Sequence, residues 1–158
     1  MIYNFPTNRS IEAVFKGDLG SRLESYMATN LPPGKVGRLV ELAIEIQSGI
    51  NSSPFINTKV PIGKRSKYIE ICFIKKDLFF ICTLASNSRS PGQLLELAEI
   101  VKYVQENRPK NIRVVPLYVL TNSKEIINVV DHSEIFGSLK LHTVQRSSLC
   151  DTLRTWQN

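Results

Sequence analysis

The stretch SKYIEICFIKKDLFFICTL, residues 66–84, decides how this chain is read. Two apolar runs flank the polar triplet Lys75, Lys76 and Asp77. The first, Ser66 to Ile74, predicts a strand. The second, Leu78 to Leu84, is continuously apolar, the pattern of a central strand covered on both faces. Two strand-like runs joined by a short polar turn predict a hairpin. Glu70 interrupts the first run, and its neighbours Ile69 and Ile71 are expected on the face opposite to it. A carboxylate held there faces solvent, pairs with a basic group or binds a metal.

Upstream, Phe55 to Pro61 alternates apolar and polar residues and predicts another strand. Lys35 to Ser48 predicts a helix, with Val36, Leu39, Val40, Ala43, Ile44 and Gln47 at helical spacing and Gly49 as its stop. Downstream, Ser90 and Pro91 open a second helix, with proline at the favoured first position. Leu94, Leu95, Leu97, Ala98, Val101 and Val104 supply its buried side as far as about Asn107. Asn111 to Leu120 is rich in β-branched residues. It follows a helical crossover, so it is expected to lie parallel to a neighbour. Thr121 or Asn122 is placed to cap a short helix through Val130. Leu139 to Val144 and Ser147 to Trp156 predict a last strand and a last helix.

The fold class expected is α/β, with a mixed central sheet flanked by helices in the order α-β-β-β-α-β-α-β-α. Residues 1–33 are punctuated by Gly17, Gly20, Asn30, Pro32 and Pro33. They read as an N-terminal extension packed on the core, with a short helix over Ser21 to Met27. Residues 34–158 read as one α/β domain.

The 158 residues are 42% hydrophobic and 22% charged. That balance places the chain among globular proteins rather than disordered ones. No apolar run is long enough to span a bilayer. Met1 to Asn8 has no apolar h-region, so no signal peptide is expected. The three cysteines, Cys72, Cys82 and Cys150, contain no C-x-x-C pair, which argues against a disulfide framework or a zinc site. A reducing, cytoplasmic setting is expected. His132 and His142 stand in no nucleophile motif, and neither a P-loop nor a G-x-G-x-x-G sequence is present. The net charge of +6 suits an anionic partner such as nucleic acid.

The segment Gly37-Arg38-Leu39-Val40-Glu41-Leu42-Ala43 followed by Gly49 is similar to the first helix of Holliday-junction-resolvase-like and Mrr-like nucleases. Tyr68-Ile69-Glu70-Ile71 resembles the strand that bears their first metal-binding acid, and Arg89 to Val104 resembles the helix beyond the active strands. Together with the element order, these segments make residues 34 to 157 resemble the restriction-endonuclease-like, or PD-(D/E)xK, superfamily. The resemblance implies hydrolysis of a phosphodiester with Mg²⁺ or Mn²⁺. Two carboxylates hold the metal, and a lysine two residues after the second helps position or activate the water.

On that resemblance Glu70 takes the first acid's place and Glu41 that of the helix acid. Thr83-Leu84-Ala85 falls at the E-x-K motif. Registers shifted by one or two residues offer Cys82 with Leu84, or Ile81 with Thr83. No register supplies a carboxylate or a lysine. Relocation to the next helix would call on Glu96 or Glu99 with Lys102. Lys59, Lys64, Arg65 and Lys67 before the Glu70 strand, Lys75 and Lys76 after it, and Arg89 are candidate nucleic-acid contacts of low sequence preference.

Three readings follow. The first is a catalytically degenerate nuclease-fold protein, without a cofactor, that binds nucleic acid (DNA ahead of RNA) or a partner protein. The second is an active Mg²⁺- or Mn²⁺-dependent endonuclease with relocated residues. The third is an interaction or assembly subunit that forms a homodimer or larger homo-oligomer. None of the three involves a membrane.

Overall fold

Leu78–Ala85 is the middle strand of a five-stranded sheet in the computed structural model, which describes residues 5–17, 33–85, 91–121 and 141–156. Along the chain these residues form α1 (Ile11–Phe15), α2 (Pro33–Ile50), β1 (Phe55–Val60), β2 (Lys67–Lys75), β3 (Leu78–Ala85), α3 (Pro91–Asn107), β4 (Arg113–Leu120) and β5 (His142–Gln145). A single 3₁₀ turn, Arg146–Ser148, then leads into α4 (Leu149–Arg154). The strands lie in chain order, β1-β2-β3-β4-β5. The pairs β1–β2 and β2–β3 are antiparallel, whereas β3–β4 and β4–β5 are parallel. The molecule is therefore an α/β protein with a mixed open sheet. Among the described residues no helix is long and apolar enough to cross a membrane.

The hairpin expected from residues 66–84 is present. Lys75 pairs with Leu78 across a two-residue turn in which Lys76 takes a φ of 58°. Phe79, Phe80 and Ile81 on β3 are fully buried, as a central strand with helices on both sides requires. α2 and α4 cover one face through Leu39, Leu42, Ala43, Ile46, Leu149 and Leu153. α1 and α3 cover the other through Ile11, Val14, Leu97, Ile100, Val101 and Val104. Each large apolar side chain among them stabilises the fold by roughly 1.5–3 kcal/mol when fully buried.

Before α1, Pro6 to Arg9 runs along the outer edge of β1. The Ile56 N–H donates to the Pro6 carbonyl, Asn8 N–H to Ile56 and Lys59 N–H to Arg9. This segment occupies hydrogen-bonding groups that an edge strand would otherwise expose. The helix read over Ser21 to Met27 and that after Thr121 lie outside the described residues.

Several details differ from the sequence expectations. The buried stripe of α2 includes Leu42 and Ile46, while Ile44 is exposed, as is Leu95 on α3. Each helix is rotated so that its best i, i+3, i+4, i+7 set faces the sheet. Ile69 and Ile71 do not share a face: Ile71 packs on the α2 side and Ile69 on the α3 side. The alternation breaks beside Asn57, the β1 residue between the partners of Ile71 and Ile69, whose φ is 57°. Its buried side-chain amide donates to the Asn8 side-chain oxygen at 2.6 Å.

Gly49 does not stop α2. The helix runs on to Ile50. Asn51, with a φ of 54°, takes the left-handed position beyond the helix end, a conformation asparagine tolerates. Gly49 instead allows α4 to approach. A Cβ there would meet Cys150 Sγ at 3.1 Å and an Arg154 guanidinium nitrogen at 3.3 Å, and Arg154 Nε donates to the Gly49 carbonyl at 3.0 Å. Gly49→Val is therefore expected to destabilise the fold by about 1–3 kcal/mol through overpacking. Urea denaturation reads this as a lower midpoint, and an unchanged midpoint would contradict the close approach.

Candidate functional site

The two halves of the β2–β3 hairpin part company near its open end. Their pairing runs from Lys75–Leu78 to Ile71–Cys82. Beyond that point β2 continues against β1, through Ile69, Tyr68 and Lys67. β3 continues against β4, through Thr83, Leu84 and Ala85. The fork opens a cavity of about 230 Å³. β2 lines it with Lys67, Tyr68 and Glu70, β3 with Thr83, and α3 with Gln93, Glu96 and the apolar Leu97 and Ile100. Lys35, in the first turn of α2, reaches in from the other layer.

Glu70 spans the fork. Its Oε1 accepts the Leu84 N–H at 3.2 Å, so the side chain bridges β2 to β3 where the backbones have separated. Its Oε2 meets the Lys35 ammonium at 2.7 Å in an ion pair. The residue is only 9% exposed. Burial therefore pushes the Glu70 carboxyl above its ordinary 4.5, against the downward pull of Lys35 and the Leu84 N–H; the Glu96 carboxylate adds to the rise. Opposite Glu70, Thr83 offers a hydroxyl where the nuclease motif would carry a carboxylate, and Ala85 is buried among Leu94, Tyr118 and Leu120.

The other candidate acids are dispersed. Glu41 lies six residues beyond Lys35 on α2, about 9 Å along the axis. It is exposed and faces Arg146 at 3.9 Å, next to the closer Arg146–Glu45 pair at 3.0 Å. Glu96 lines the cavity. Glu99 instead pairs with Lys67 at 3.5 Å, and Lys102 is exposed on α3. Among the described residues no three His, Cys, Asp or Glu side chains gather closely enough to hold a metal. The thiols add no chemistry there: burial pushes Cys72 up to about 12 and Cys82 higher still, so both stay protonated.

The basic residues, adjacent in sequence, divide between two ends of the sheet. Lys59, Lys64, Arg65 and Lys67 lie at the end of the β1–β2 hairpin beside the cavity; all but the half-buried Lys67 are exposed. Lys75 and Lys76 lie at the far end of β2. At the rise of an extended strand, that end is about 26 Å away. There the Lys75 ammonium donates to the Leu153 carbonyl, while Lys76 is exposed at the turn. Arg89 is outside the described residues.

Lys35 and Gln93 are the cavity residues that sequence reasoning misses. Gln93 Oε1 accepts the Tyr118 hydroxyl at 3.2 Å, a contact across 25 residues. Lys35 pairs with a strand on another layer, far along the chain, and neither residue has a local motif to mark it.

Comparison with known protein families, curated proteins and solved structures gives no match to this chain.

The raised pKa of Glu70 fixes the sign of a pH effect. The folded state holds the Glu70 proton more tightly than the unfolded chain does. This contribution to stability is complete below about pH 4.5 and declines as pH rises through the window up to the raised folded value. Glu70→Gln has no such titration. The stability of the native chain relative to Glu70→Gln is thus expected to fall as pH rises above about 4.5. Urea unfolding of both proteins across that range measures it, and a difference that grows with pH would contradict the assignment.

Proposed function

We propose that this chain is a catalytically degenerate nuclease of the restriction-endonuclease-like fold that binds nucleic acid, DNA ahead of RNA, at the β1–β2 end of its sheet. One observation carries the reading. The carboxylate at the place of the family's first acid is already matched by Lys35 at 2.7 Å, and Thr83 stands across the fork from it. A hard divalent cation needs several oxygen ligands with negative charge among them. Here the most buried such charge is spent on an ammonium group. An active nuclease with relocated acids gains support from Glu96 in the same cavity. It also needs Glu70 free for metal, and the lysine nearest to it is its counter-ion.

The fork end carries the charge that this reading uses. Lys64 and Arg65 are exposed in the turn that leads to Ser66 and Lys67 at the cavity wall, and Lys59 is exposed on the adjoining strand. Such side chains contact phosphate oxygens and release counter-ions, which gives affinity with little sequence preference. A cytoplasmic location accords with Cys72, Cys82 and Cys150 as free thiols.

Fluorescence anisotropy with duplex DNA tests the proposal. Affinity is expected to fall steeply with salt. Lys64→Ala with Arg65→Ala is expected to reduce the log–log salt slope by about 2. Lys76→Ala, at the opposite end, is expected to leave that slope unchanged. No binding, or binding indifferent to salt, would overturn the nucleic-acid assignment.

A further inference from the structure

We propose that the Lys35 ammonium is a built-in substitute for a metal ion, and that removing its charge turns the Glu70 cavity into a divalent-cation site. The inference rests on the degenerate-nuclease reading of the same cavity and deepens it.

Three observations carry the proposal. The first is the ligand set. Glu70, Glu96, Gln93 and Thr83 bring two carboxylates, an amide and a hydroxyl to one cavity of about 230 Å³. These are the hard oxygen donors that divalent cations take. Gln93 Oε1 accepts from Tyr118 yet keeps a second lone pair. The second is the occupant. Two lysines line the cavity: the Lys35 Nζ lies 2.7 Å from Glu70 Oε2, while Lys67 pairs with Glu99 at 3.5 Å. That oxygen is buried, and Lys35 satisfies it with both its charge and its N–H groups. The third is the origin of the lysine. Lys35 is the third residue of α2, and its side chain is one-third exposed, whereas Glu70 is fixed on an interior strand and tied to Leu84. The anion is part of the frame, and the cation is a long side chain reaching in from a helix end.

A buried carboxylate without a counter-ion is costly, because one partner's charge is left unpaired in a site screened from water. Removing the ammonium leaves three outcomes: Glu70 takes a proton, the Lys67 ammonium of the same cavity turns to it, or a metal ion takes the place of Lys35. The metal outcome needs the Glu96, Gln93 and Thr83 oxygens, with water, to complete a coordination shell.

The test uses the full chain with Lys35→Met, which keeps the stem and removes the charge. At pH 7.5 the variant is expected to melt below the native protein. Mn²⁺ at ten times its dissociation constant is expected to raise the variant's Tm by about 4 °C. The native protein, and Lys35→Met combined with Glu70→Gln, are expected not to respond. Water-proton relaxation with Mn²⁺ provides a second readout: one bound ion in Lys35→Met and none in the double variant. If Lys35→Met is unfolded without metal, folding on addition of Mn²⁺ supports the proposal and continued unfolding overturns it. A Tm unmoved by Mn²⁺, or equal shifts in all three proteins, would also overturn it. Because no nucleic acid is present, failure here is distinct from failure of the DNA-binding reading.

Discussion

Where β2 leaves β3, one carboxylate spans the gap. Glu70 accepts the Leu84 N–H with one oxygen and faces the Lys35 ammonium with the other, while the residue is almost wholly buried. A strand that separates from its neighbour inside a core leaves backbone groups that need partners. The Glu70 side chain supplies one of them. Its charge then requires a cation, and the start of α2 brings Lys35 to it. The position of α2 across the sheet and the width of the fork are thus coupled through one ion pair. Buried pairs of this kind give modest net stability but are costly to break from one side.

The degenerate-nuclease reading proposed above rests on the same interaction. In a metal-dependent nuclease the buried acid holds a divalent ion, whose charge activates water and offsets phosphate charge. In this chain a monovalent ammonium on a flexible stem faces Glu70. It neutralises the carboxylate without offering open coordination positions. The surrounding Thr83, Gln93 and Glu96 keep the cavity polar, so the loss of function proposed for it need not have cost the fold its shape.

Much of the architecture is legible in the sequence because it depends on local pattern. The run of apolar residues in β3, the turn at Lys76 and Asp77, and the proline at the start of α3 each produce their element through neighbours in the chain. Gly49 is misread because a glycine that ends a helix and one that admits a neighbouring helix look alike, and Cys150 belongs to a helix near the far end of the chain. Ile69 and Ile71 are misplaced because a positive φ at Asn57, on another strand, lies beside the break in alternation. The site divides along the same line. Glu70 is visible as a charge inside an apolar strand, and Thr83 as the residue that the resemblance sets at E-x-K. Lys35 is not, because the strand it pairs with is distant in sequence and a lysine at a helix start is ordinarily solvated. The basic residues on either side of β2 form one group in sequence and two in space, since an extended strand separates them.

The central claim is that Lys35 holds the place of a metal in the native protein. A high-resolution crystal structure of the unaltered chain soaked in Mn²⁺, with anomalous scattering to locate the ion, tests it most directly. The expected result is no anomalous peak at Glu70, with the Lys35 ammonium still within ion-pair distance of its carboxylate. A Mn²⁺ ion bound by Glu70 and Glu96, with Lys35 displaced, would contradict the account and restore the case for a working metal-dependent nuclease.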